Sequence, residues 1–126
     1  MTYSKEQREH IEKVKTVFQE YIKSSQTLDL LWSDKLGYVL LTGITKEMDD
    51  VCMHPVILED AETLCYKLLY EIACDVLEAD GNYGDIYDVT AEERHYIEQV
   101  FHPYMAQLSE YEYVIEELFR APSESM

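Results

Sequence analysis

The sequence predicts an α+β fold: an N-terminal helix, a β-hairpin, then three helices of which the second is central. Three observations carry this. A capping box opens an amphipathic stretch near the N-terminus; two short β-prone runs follow around a turn that ends in Gly; and from residue 59 onward apolar residues recur at helical spacing. The chain has 126 residues, 47% of them apolar and 11 of them Tyr, which suits one domain over 1–126 and excludes a disordered polymer.

Ser4 with Gln7 forms the capping box of a helix expected over 5–24. Ile11, Val14, Val17, Phe18, Tyr21 and Ile22 make its apolar stripe. Leu28 to Trp32 and Tyr38 to Thr42 then alternate around Ser33-Asp34-Lys35-Leu36-Gly37, with Gly37 suited to a positive φ. Leu28, Leu30 and Trp32 share one face of this hairpin, opposite Tyr38, Leu40 and Thr42. An isolated hairpin is marginal in water, so it must lie on helices. Gly43, Met48-Asp49-Asp50 and His54-Pro55 break periodicity, so 43–57 reads as a loop.

The second helix is expected over 59–79. On a helical wheel, Ala61, Leu64, Cys65, Leu69, Ile72, Val76 and Ala79 share an arc of about 140°, and Tyr66, Tyr70, Ala73 and Leu77 lie opposite. Such a helix is covered on two sides. Its narrow polar stripe is Asp60, Lys67, Glu71, Asp75 and Glu78, and Gly81 stops it. Residues 80–89 form a turn-rich loop. Thr90 with Glu93 caps a third helix that Pro103 kinks or ends near His102. Ser109 with Glu112 opens a last helix to Phe119, with Tyr111, Val114, Ile115 and Leu118 inward, and 121–126 reads as a frayed tail.

Charge narrows the function classes. The net charge is −16; residues 1–48 hold seven bases and seven acids, so all the excess falls after residue 48. Direct binding to nucleic acid or to an anionic membrane is disfavoured, because both need clustered Lys and Arg. No apolar run reaches the ~20 residues of a membrane span, and the first residues lack a signal peptide's apolar stretch. Cys52, Cys65 and Cys74 are an odd, sparse set. Cys65 and Cys74 would lie ~13 Å apart along one helix, which fits reduced thiols in a cytoplasmic protein.

The candidate partner-binding residues are Glu71, Asp75, Glu78, Asp80, Tyr83, Asp85, Tyr87 and Asp88. From Glu71 to Glu93 inclusive there are eight acids and no base. Glu71, Asp75 and Glu78 stand at i, i+4 and i+7, where like charges oppose the helix slightly. Tyr83 and Tyr87 sit among carboxylates in a polar loop, a composition that suits a groove lined by Arg and Lys. Tyr21, Tyr66, Tyr70 and Tyr111 are explained as core or boundary residues.

No catalytic signature is present: there is no Gly-x-Ser-x-Gly, no framed catalytic Cys and no phosphate-cradling loop among four glycines. Glu78 to Ile86 echoes a calcium loop but fails it, since Tyr83 is an extra residue and the twelfth position is Val89 or Thr90. Cys52 and His54 lack a second ligand pair. His95, Glu98 and His102 face outward, their imidazoles ~10 Å apart, and His10 only borders the first helix's stripe.

Three readings follow, none requiring a cofactor. The first is a non-catalytic protein-binding module whose acidic face occupies the groove of a basic, nucleic-acid-handling enzyme. By analogy of charge, it acts as a nucleic-acid mimic of the immunity, anti-restriction or anti-CRISPR inhibitor type. The second is a divalent-metal-binding domain using Glu71, Asp75, Glu78, Asp80 and Asp85. The third is a structural subunit or homo-oligomer that buries its hairpin.

Overall fold

The computed structural model describes residues 3–25, 28–42, 54–82 and 86–120. The chain groups into two compact units, Met1–Leu64 and Cys65–Met126, and the fold is α+β.

In the first unit the Ser4 capping box forms as expected. The Ser4 hydroxyl accepts from the Gln7 N–H at 3.0 Å, and the Gln7 side chain accepts from the Ser4 N–H at 2.7 Å. The expected single helix is instead two, α1 (Lys5–Val17) and α2 (Gln19–Ser24), interrupted at Phe18. The Thr16 hydroxyl donates back to the Glu12 carbonyl at 2.8 Å, a bond that bends helices where it competes with the backbone ladder. Ile11, Val14 and Phe18 are nonetheless fully buried on one stripe.

The hairpin comprises β1 (Leu28–Ser33) and β2 (Gly37–Thr42), antiparallel in the expected register, with Leu30 opposite Leu40 and Trp32 opposite Tyr38. The Ser33 hydroxyl accepts from the Lys35 and Leu36 N–H groups, and Gly37 takes φ 84°. The expectation of a loop through 57 is corrected: His54–Ile57 is a third strand, β3, paired antiparallel with β2 at the sheet edge. Proline lacks a ladder donor, which an edge strand tolerates; Pro55 pairs with Leu41.

Tyr3 locks this unit. Its hydroxyl donates to the Leu58 carbonyl at 2.6 Å and accepts from the Tyr38 N–H at 3.1 Å. Its ring packs edge-on against Tyr38 at 5.5 Å. Trp32 was expected to turn inward with Leu28 and Leu30, yet it is 47% exposed. It lies at the end of that face, with the Arg8 guanidinium 4.9 Å from its ring centroid.

The second unit is helical. Its first helix, α3 (Ala61–Ala79), starts within the first unit, where Asp60, expected in the polar stripe, instead caps it by accepting from the Thr63 N–H at 2.8 Å. Leu68 and Ile72 are buried, and so are Ala73 and Leu77 on the opposite side, but there Tyr66 is only half-buried and Tyr70, expected at the core or its boundary, is 39% exposed. Val76 is half-buried and Ala79 exposed, because the buried arc fades in the last turn. Gly81 at φ 79° ends α3, with the Asn82 N–H donating to Leu77 and the Gly81 N–H to Glu78.

Thr90 and Glu93 form the second capping box, opening α4 (Ala91–Met105). Pro103 does not end the helix near His102. It sits in the last turn, where few following ladder bonds remain to be lost, and the Ala106 N–H still reaches the His102 carbonyl at 2.9 Å. The expected Ser109–Glu112 box is absent: Ser109–Tyr111 is a 3₁₀ turn without a side-chain cap, and α5 is Tyr113–Phe119. Val114, Leu118 and Phe119 are buried. The expected tail, 121–126, lies outside the described residues. Among the described residues no helix is long and apolar enough to cross a membrane.

Gly37 has both a positive φ and a crowded approach, since an added Cβ would stand 2.5 Å from the Tyr3 ring and hydroxyl. Gly37→Ala is therefore expected to lower the unfolding free energy by about 1–3 kcal/mol in urea titration. A loss within error of zero would mean that Tyr3 is not seated on this turn.

Candidate functional site

The acidic face begins on α3, whose apolar burial fixes where its polar stripe points. Asp75 and Glu78 are exposed, as the stripe predicts, and so is Asp80 in the turn after α3. Glu71 differs, being half-buried. Burial holds its carboxyl above the ordinary carboxylate range, Asp75 and Glu78 push it further, and Lys67 pulls it back. These three acids are thus brought together electrostatically along one helix face.

The other candidates lie beyond Gly81. Tyr83 and Asp85 fall outside the described residues. Ile86–Asp88 is a 3₁₀ turn lying against α5. Ile86 is 5% exposed, and that apolar anchor turns Tyr87 and Asp88 outward, Tyr87 at 38% exposure. Asn82, which a calcium loop would need as a ligand, donates its side-chain amide to Glu93 at 2.8 Å. That bond and the Thr90 N–H, the larger cause, hold the Glu93 carboxyl below its usual range.

Among the described residues, no three His, Cys, Asp or Glu side chains converge as a metal site requires. Glu98 is engaged by Arg94, and His95 and His102 are exposed. Among the described residues, Cys65 and Cys74 form no disulfide. Burial, reinforced by Glu71, Glu78 and Asp75, pushes Cys74 up to about 11, so it is a neutral thiol at physiological pH and no nucleophile.

Two features escape sequence reasoning. Arg94 donates to Glu98 at 3.0 Å and to Glu116 at 2.7 Å, and its guanidinium lies 4.6 Å from the Phe119 ring centroid. The i, i+4 pair with Glu98 was legible; the partner 22 residues away was not. The second feature is a groove of about 750 Å³ along α4 and α5. No known protein family, curated protein or solved structure matches this chain.

The raised Glu71 carboxyl carries a sign. The folded state binds its proton more tightly than the unfolded chain does, so Glu71 contributes stability at low pH that is lost as pH rises through its raised pKa. Glu71→Gln should raise Tm at neutral pH by about 1–3 °C, from like-charge relief of roughly 0.2–0.5 kcal/mol per pair. The gain should vanish in calorimetry below the ordinary carboxylate range. A lower Tm at neutral pH would show that the charge is favourable there.

Proposed function

We propose that this chain is a non-catalytic, cytoplasmic protein-binding module whose acidic face takes the place of nucleic acid in the groove of a basic, nucleic-acid-handling protein. The carrying observation is uncompensated exposed charge. The second unit holds 14 acids against three bases, a net of −11. One of those bases, Arg94, is bound by Glu98 and Glu116, while Asp75, Glu78, Asp80 and Asp88 are exposed.

Spacing supports the same reading. Glu71, Asp75 and Glu78 follow one another at rises of about 6 and 4.5 Å along the α3 axis. One strand of a duplex carries a phosphate about every 3.4 Å. A cationic groove built for phosphates therefore meets carboxylates at a comparable, somewhat sparser pitch. Such binding is steered by long-range attraction and screened by salt.

The test is a pull-down with the tagged chain from its native lysate, beside Asp75→Lys/Glu78→Lys. Capture of a cationic nucleic-acid-binding protein at low salt, released at high salt, displaced by duplex DNA and lost in the double variant, is the expected result. Retention indifferent to salt and to charge reversal would sink this reading.

A second reading, self-association, has one observation in its favour. Leu31 and Ile57 flank Val39 on one face of the sheet and are each 43% exposed. Leu30 is half-buried on the other face. Leu31→Lys should convert any oligomer to monomer in light scattering; a wild-type chain already monomeric at high concentration removes the reading.

A further inference from the structure

The groove along α4 and α5 has a chemistry that the acidic face on α3 lacks. Its accessible apolar lining is Ala106, Tyr113 and the half-buried Ile115, with Phe101 and Met105 also lining it but buried, and Glu98, Glu112 and Glu116 line it with no Lys or Arg among the lining residues. The aromatic ring of Tyr113, 47% exposed, stands on the wall. A surface acting through charge alone needs no such apolar lining.

Arg94 reports what the rim favours. Glu98 and Glu116 already converge on its guanidinium, which also lies over the Phe119 ring. Even with Arg94 counted, the three rim acids leave a net charge of −2, and Glu112 is exposed. A second copy of this chain, at −16, would meet that rim with like charge. A chain pairing apolar side chains with Lys or Arg complements both layers at once.

We infer that this groove seats a cationic amphipathic segment of the protein partner, its apolar side chains on Tyr113 and Ile115 and its Lys or Arg heads against Glu112 and Glu116. The inference rests on the cationic-partner reading above and adds an apolar anchor to it. The anchor supplies affinity that salt does not screen, and the acidic rim fixes the segment's orientation.

Calorimetric titration of the full chain with three synthetic peptides of equal length tests this: an alternating-face Leu/Lys helix, a Ser/Lys peptide of the same charge, and an uncharged Leu/Gln helix. The Leu/Lys peptide should bind at least about tenfold more tightly than either control. Ala106→Trp and Glu112→Lys, both at exposed positions lining the groove, should each weaken it about tenfold with melting temperature preserved, and Asp75→Lys/Glu78→Lys should change it by less than about threefold. Equal binding of the Ser/Lys peptide, or wild-type affinity in both groove variants, overturns the inference. If binding is instead lost only in Asp75→Lys/Glu78→Lys, the groove fails while the acidic-face reading stands. If the Leu/Lys peptide binds through the groove but no cationic protein is captured from lysate, the acidic-face reading fails while the groove stands.

Discussion

The guanidinium of Arg94 is the point at which the helices of the second unit are tied together. It belongs to α4, donates to Glu98 one turn on, reaches Glu116 on α5 and covers the ring of Phe119. Without a cation there, two carboxylates would face each other across the helix pair in a unit already rich in acids. Both ion pairs are partly exposed, so each contributes about 1 kcal/mol or less. Their consequence is mainly geometric. They hold α5 beside α4, which leaves Glu112 and Tyr113 exposed along the groove.

Magnitudes explain why α3 carries an acidic stripe that works against it. Like charges at helical spacing cost about 0.2–0.5 kcal/mol per pair. Each fully buried Leu or Ile contributes about 1.5–3 kcal/mol, and α3 buries Leu64, Leu68, Leu69, Ile72 and Leu77. The apolar face outweighs the stripe several-fold, so the fold tolerates the charge. Glu71 is where the two demands collide, a half-buried carboxylate beside two others. Local rules broken against the interest of stability concentrate where a surface acts on something else.

Much of this architecture was legible because it follows from short-range rules. Ser4 with Gln7, Thr90 with Glu93, Gly37 in its turn and Gly81 after α3 are each set by residues within four positions. The hairpin register follows from alternation, and the exposure of Asp75, Glu78, Asp80, Tyr87 and Asp88 from the wheel and the loop composition. What was illegible depends on distant partners. β3 has four residues and a proline, and it is a strand only because β2 offers Val39 to Thr42 beside it. The half-burial of Glu71 and the reach of Arg94 to Glu116 are packing facts that no window contains. Ser109 and Glu112 have capping spacing, yet the chain there winds as a 3₁₀ turn instead.

The proline in β3 has a further effect on how the sheet can grow. Its order is β1-β2-β3, so β1 and β3 are its two edges. A sheet with two competent edges can add strands without end, the geometry of fibres. β3 is four residues long and lacks one amide donor at Pro55, which makes it a poor template. β1 is the longer edge, and an incoming strand that pairs there uses up the competent side. Two such chains joined along β1 would present only their proline-bearing margins outward, so pairing at that edge would end with two copies and not propagate.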